Sequence, residues 1–499
     1  MRYRILRYFF HLSEISILGV YIYEKEKIPR MGVLGMMKTN EGGNTYEFSL
    51  NHHLEFFSKA GSLFEGRYSF YGQEESALSL FQKMWAIDRI EDRALAMKLL
   101  FWLRDCRGGA GNRSGFRKCA RWLAKNDSKW LEVNMHLIPE YGRWDDLKIL
   151  FGTPLEDQAA KLWAEAITEK NVLAAKWAKR EYKPVQRALG LNEAGLRKLL
   201  ANIRKQHIVE HKMCQDMWKE IEYEKVPSVA MARYTRAFLR HDKEGFETYK
   251  SKLSNGEAKI NTQALYPHDC VRTVFFGDKE LADLQFENLP NFMPENYKVI
   301  VISDTSGSMS VPVSGSIQAV DISIGLALYC SAKIPQDNPF HKKFIAFESE
   351  SEFKNWNGMK FSEAVTNREI FDGACGATRI DKALKLILDT ARFYNLRQEQ
   401  LPDVLLIVSD MQFHMGVEGE GTEVEKVLKQ FQENGYIPPK IVYWNTAGYA
   451  GSPATVNTPN TVLISGFSPS VLKYVFASDF SPMSVLYATV EKYKVNIPN

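Results

Sequence analysis

The spacing of hydrophobic positions changes once along this chain. From about residue 73 to 250, apolar residues recur at three- and four-residue intervals, as in SALSLFQKMWAID, DRALAMKLLFWLRD, GFRKCARWLAKN, EDQAAKLWAEAI and NEAGLRKLLANIRKQ. That is the repeat of amphipathic helices, and nothing there alternates at period two for long. The pattern predicts a run of helices joined by short turns, an all-α stack of HEAT-like helix pairs. From about 297, short β-branched runs alternate with helical patterns. Strands are expected at 298–303, 343–348, 404–409, 440–444 and 461–465, and helices at 316–333, 379–394, 422–434 and 468–477. Buried strands alternating with helices imply an α/β doubly wound parallel sheet covered on both faces. NLPNFMPEN reads as the linker between the two patterns. The expected organisation is a poorly defined extension over 1–39, an α-helical repeat domain over 40–290 and an α/β domain over 297–499.

The strongest candidate chemistry sits where the first of these strands ends. In VIVISDTSGSMS the run Val299–Ile302 is a buried strand pattern, and Asp304, Ser306 and Ser308 follow it in the spacing DxSxS. Small residues let such a loop curl until alternate side chains converge. Converging hard oxygens suit Mg²⁺ or Mn²⁺. A polar strand-to-helix turn with serine as helix cap would read the same way. Two later segments favour the metal. GACGATRI puts Thr378 in a small-residue loop before an amphipathic helix, and LPDVLLIVSDMQF ends a second buried strand in Ser409–Asp410. Ligands of parallel sheets bind at the carboxyl ends of strands, where Asp304 and Asp410 both fall.

At 499 residues the chain exceeds what one core supports. Its 45% hydrophobic and 25% charged content is that of ordinary soluble globular protein. Charge is uneven. Residues 101–250 carry 29 Lys/Arg against 20 Asp/Glu, whereas 297–499 carry 18 against 21. The middle of the chain therefore either meets something anionic or is simply lysine-rich for solubility. Arg104, Arg107, Arg113, Arg117, Lys118 and Arg121 surround the loop Gly108–Gly109–Ala110–Gly111. Exposed backbone N–H groups, a helix start and arginines suit a phosphate backbone. A helix-to-helix turn whose arginines pair with nearby carboxylates is the plain alternative. A second cluster, Lys176, Lys179, Arg180 and Lys183, encloses Trp177, which either stacks on unpaired bases or belongs to the core. Trp144 reads as core, with Arg143 pairing Asp145 or Asp146.

The six scattered cysteines show neither CxxC nor zinc spacing and fit a reducing, cytoplasmic location. The apolar N-terminus is interrupted by His11 and Glu14 and is shorter than the roughly 18 residues of a membrane span. With Met31, Met36 and Met37 just downstream, it is expected to be an artefact of start assignment.

The set Asp304, Ser306, Ser308, Thr378 and Asp410 resembles the metal-ion-dependent adhesion site of von Willebrand factor A domains. EYGRWDDLKIL at 140–150 resembles the Gly-Arg-Trp-x-Asp-Leu element of the TROVE domain of the Ro autoantigen family, with looser matches in RDCRGGAGNRSGFR, KWAKRE and VPSVAMARYTRAF. The chain looks most like a TROVE-like family of viral, bacterial and plant proteins that also carries SDMQF. This resemblance implies a HEAT-like helical-repeat domain followed by a von Willebrand A domain, binding structured or misfolded noncoding RNA through the basic helices, with no DNA specificity and no membrane role. A metal site held mainly by hydroxyls keeps net positive charge and favours a carboxylate from a protein partner. No HExxH, GxSxG or phosphate-loop signature appears, so a binder rather than an enzyme is expected. The competing reading is an adaptor of a MoxR- or chelatase-type AAA+ ATPase that binds no RNA.

Overall fold

The computed structural model describes residues 36–39, 42–63, 76–205, 209–260, 262, 265–314, 317–346, 351–371, 379–413, 422–448 and 451–498. Most of the expected N-terminal extension lies outside these residues. Two short strands, β1 (Met36–Lys38) and β2 (Asn44–Tyr46), precede the helices.

The helical stretch forms where period and capping agree. Asn51, Asn112, Asn171 and Asn192 each accept a hydrogen bond from a backbone N–H in the first turn of the helices His52–Lys59, Arg113–Asn126, Val172–Trp177 and Glu193–Arg204, which satisfies one orphan donor per helix. In Arg113–Asn126 the buried side chains Phe116, Cys119, Ala120 and Leu123 follow the expected apolar face. Repeat regularity is lower than a HEAT stack suggests, because Trp144–Leu150, Trp218–Glu220 and Tyr223–Lys225 are 3₁₀ turns.

The C-terminal half is a mixed, mostly parallel sheet. Its strands are β3 (Val299–Ser303), β6 (Lys343–Ala346), β7 (Glu352–Asn355), β8 (Val404–Ser409), β9 (Lys440–Asn445) and β10 (Thr461–Ser465), while β4 (Pro312–Ser314) and β5 (Ile317–Gln318) form a separate hairpin. Among the described residues the order is β10-β9-β8-β3-β6-β7, all parallel except the antiparallel edge pair β6–β7. Every residue of β3, β8 and β10 is buried, as a sheet with helices on both faces requires. The chain leaves β3 first toward β6 and later returns to β8 on its other side, so the strand order reverses at β3. The expected helices appear as Ala319–Lys333, Ile380–Phe393, Glu423–Glu433 and Leu472–Ala477.

The two halves share one hydrophobic core running from Leu54 to Tyr493, and a second core lies within 221–284. Two sets of contacts tie the halves together. Residues 57–62 reach the sheet, where Ser62 Oγ donates to the Asn445 carbonyl at 2.7 Å and Ser465 Oγ donates to the Phe57 carbonyl at 2.7 Å. The C-terminal segment reaches the helices, where Lys492 Nζ and Tyr493 Oη lie 2.7 and 2.9 Å from Asp105 Oδ2. Near the end of the helical stretch, Tyr266 Oη donates to the Cys106 carbonyl at 2.8 Å. No helix among the described residues is long and apolar enough to cross a membrane.

Candidate functional site

Adjacent parallel strands bring the hard oxygens together. Ser303 of β3 pairs with Val408 of β8, so Asp304 and Asp410 leave the same sheet edge on neighbouring strands. Asp304 stays in register through its N–H, which donates to the Val408 carbonyl at 2.9 Å. Its carboxylate is buried and held from two sides: Oδ1 accepts from the Ser306 N–H at 2.9 Å and Oδ2 from Ser409 Oγ at 2.7 Å. Ser306 Oγ and Ser308 Oγ are hydrogen-bonded to each other at 3.0 Å. Octahedral Mg²⁺ with oxygens at about 2.1 Å places neighbouring ligands about 3.0 Å apart, so this hydroxyl pair fits two adjacent vertices. Asp410 is buried, its Oδ1 accepting from the Gln412 N–H at 3.0 Å, and Met411 beside it has φ +65°. Ser306 is buried, Ser308 half-buried and Gly307 exposed, so the loop is open on its Ser308 side. Thr378 lies outside the described residues. The structure thus gathers Asp304, Ser306, Ser308 and Asp410 on the edge where β3 reverses the strand order, the position at which open α/β sheets bind ligands.

The helical candidates divide differently. Asp145 and Asp146 form a hub that draws in four arginines from three segments. Arg104 Nε lies 2.7 Å from Asp146 Oδ2, with both side chains buried. Arg117 contacts Asp146 Oδ1 at 2.6 Å and Asp145 Oδ2 at 3.0 Å, Arg113 reaches both carboxylates, and Arg143 lies 3.0 Å from Asp145 Oδ1. Burial pushes the Asp146 carboxyl up, but Arg104 and Arg117 outweigh it and hold the group below the usual carboxylate range. Burial and then the neighbouring Arg117 and Arg143 hold the Arg113 guanidinium below its ordinary value. Arg104 is therefore an interior residue that presents nothing to a ligand. Arg113, Arg117 and Arg143 remain about one-third exposed, and four guanidiniums around two carboxylates leave positive charge over.

The second basic cluster meets this hub. The Arg143 guanidinium lies 4.1 Å from the centre of the Trp177 ring, and Lys148 Nζ lies 5.7 Å from that of Tyr182. Trp177 is half-buried, so it is neither a closed core residue nor a free platform. Lys176 pairs with Glu210 at 3.0 Å, and Arg180 with Glu181 and Glu193. Lys179 and Lys183 are exposed, with no ion pair among the described residues. Arg107 and Arg121 are exposed but donate to carbonyls, Arg107 to Glu140 and Arg121 to Ile149 and Phe151. Lys118 is exposed on the same helix. Sequence reading paired Arg143 with an aspartate; it did not reveal that Arg104, Arg113 and Arg117 share those carboxylates.

Comparisons with known proteins leave the family open. Residues 298–492 match a domain of unknown function (DUF7788), and residues 162–289 match another (DUF2828). An uncharacterized protein, L728, of Acanthamoeba polyphaga mimivirus is 26% identical over 524 residues, covering 92% of this chain and 88% of the relative. Among solved structures, the Ro (Rsr) protein of Deinococcus radiodurans aligns over 89% of this chain and 100% of its own, at 12% identity and a TM-score of 0.37.

Proposed function

We propose that this protein is a non-catalytic RNA-binding protein. Its basic helical surface takes structured or misfolded noncoding RNA, and a divalent-metal site of the von Willebrand A adhesion type takes a carboxylate from a protein partner. The observation that carries the RNA reading is the meeting of two basic clusters, some sixty residues apart in sequence, at the contact of Arg143 with Trp177. Partly exposed guanidiniums beside an aromatic ring suit phosphate oxygens and a stacked base. The surplus charge of the hub is unfavourable by itself and is relieved when an anion binds. In this reading Lys118, Lys179, Arg180 and Lys183 line the approach, Arg107 and Arg121 contribute from the flank, and Lys176 sets the Trp177 face.

Asp304, Ser306, Ser308 and Asp410, with Thr378, would hold Mg²⁺ or Mn²⁺. When bound, the metal supplies an open, positively charged position for an anionic ligand. Asp304 keeps the two serines convergent, and Ser409 keeps Asp304 in place.

The test is a salt titration of the full chain with fluorescently labelled single-stranded RNA. Changing Arg107, Lys179 and Lys183 together to alanine is expected to lower the slope of log affinity against log salt by about 2, at about 0.7 per phosphate contact. Absence of salt-dependent binding by the wild-type protein would sink the RNA reading.

A further inference from the structure

The helix Ser228–His241 carries a feature that the site above does not use. Met231, Thr235 and Phe238 are buried on one side of it, while Arg233, Arg236 and Arg240 stand exposed on the other. The spacing i, i+3, i+7 aligns the three guanidiniums in one stripe about 10 Å long at 1.5 Å per residue. None of the three has an ion pair or side-chain hydrogen bond among the described residues, and the helix itself, SVAMARYTRAFLRH, contains no Asp or Glu. A face evolved only for solubility mixes both signs, and like charges three and four residues apart weaken a helix. Arg240 sits in the last turn, where a cation suits the helix C-terminus, but Arg233 and Arg236 repel each other with no anion on the helix to offset them.

Two neighbours indicate which anion. At the C-terminal end of the stripe, His241 is exposed and lies flat against Trp218, ring centres 4.3 Å apart and planes 7° apart. On its side, Tyr234 Oη donates to Glu210 Oε1 at 3.4 Å, and the same carboxylate holds Lys176 at 3.0 Å. Glu210 thus links the flank of this helix to Lys176, the neighbour of Trp177 in the second basic cluster. Repeating cations followed by an exposed flat ring suit a phosphate backbone with an unpaired base.

We infer that Arg233, Arg236 and Arg240 form a second phosphate-binding stripe, so that a single-stranded segment of the RNA ligand runs from the Arg143–Trp177 surface to the His241–Trp218 stack. This rests on the RNA-binding reading above. The experiment uses the full chain with Arg233, Arg236 and Arg240 all changed to alanine, and a parallel variant with all three changed to lysine. Binding to single-stranded RNAs of increasing length is followed by anisotropy across a salt series. Wild type should gain affinity as the RNA lengthens past the first surface. The alanine variant should lose that gain and about 2 from the salt slope, at about 0.7 per contact on single strands, while the lysine variant keeps most of both. An alanine variant with wild-type slope and length dependence overturns the stripe and leaves the first surface standing. Wild-type protein that binds no RNA overturns both readings together. Tighter capture of an acidic polypeptide than of RNA, lost in the alanine variant, would overturn this inference in favour of a protein partner.

Discussion

The Asp145–Asp146 hub and the β3–β8 edge both concentrate charged and polar oxygens, but they use them in opposite ways. In the hub the carboxylates face inward: Asp146 is fully buried and its partners come from Arg104, Arg113 and Arg117, between 29 and 42 residues away in sequence. At the sheet edge Asp304, Ser306 and Ser308 belong to one loop, held by its own N–H groups and by the adjacent strand. One arrangement ties distant helices together and exposes its surplus cations. The other is a local loop that buries Ser306 and leaves Ser308 partly exposed. What each can offer a ligand is thus set by what is left over after internal pairing, not by the number of charges gathered.

The largest expected effect breaks the hub. Asp146→Ala leaves Arg104 buried without its carboxylate, and removing one partner of a buried pair costs about 3–5 kcal/mol. Chemical unfolding should show that loss; a change below about 1 kcal/mol would mean the hub is not structural.

At the sheet edge the effect is smaller and separable. Asp304 is buried and accepts two hydrogen bonds, so Asp304→Ala should cost about 1–3 kcal/mol of stability as well as metal affinity. Truncation there is not the harmless ligand deletion that a loop position suggests. Ser308, half-buried, is the cleaner probe. Ser308→Ala should weaken Mn²⁺ binding by calorimetry while shifting stability in metal-free buffer by less than about 0.5 kcal/mol. Unchanged Mn²⁺ affinity in both variants would refute the site.

A third effect tests the interface between the halves. His268 is buried at the start of the helix Pro267–Phe276, packed near Tyr266 and Phe467, and its Nδ1 has no hydrogen-bond partner among the described residues. Burial holds its pKa below the usual histidine value, with Asp269 and Asp321 opposing and Arg272 assisting. A depressed histidine contributes stability that is complete above its unfolded value of about 6.5 and is lost as pH falls through and below it. Stability should therefore decline between about pH 7 and 5 in the wild type and decline less in His268→Phe; parallel curves would remove His268 from the account.

These contrasts also mark what was legible beforehand. The expected strands at 298–303, 404–409, 440–444 and 461–465 match β3, β8, β9 and β10 because each is a continuous apolar run with clear ends. The convergence of Asp304, Ser306 and Ser308 was readable for the same reason: the three are near neighbours in one loop. β7 was not expected, since Glu352–Asn355 is a short polar edge strand with only Lys354 buried. The helix Pro482–Val490 was missed as well, its residues being rich in β-branched and aromatic types that favour strands. Arg104, Arg113 and Arg117 looked like a phosphate surface because their carboxylate partners lie far along the chain. No local pattern distinguishes an arginine that waits for a ligand from one already claimed by Asp146.

The smallest expected effect is the sharpest on whether the two regions are one site or two. The proposed function puts RNA on the helical surface and the metal at the sheet edge, and the cationic excess lies in residues 101–250 rather than 297–499. Replacing Mg²⁺ by a chelator at matched ionic strength should then change affinity for an unstructured single-stranded RNA by less than about twofold, roughly 0.4 kcal/mol. An unstructured ligand is required, because Mg²⁺ would otherwise act through RNA folding. The same buffers should abolish binding of any carboxylate-bearing partner at the Asp304–Ser306–Ser308 loop. A tenfold loss of RNA affinity on chelation, absent in Ser308→Ala, would show that the metal contributes directly to the RNA surface and that the separation drawn between hub and edge is wrong.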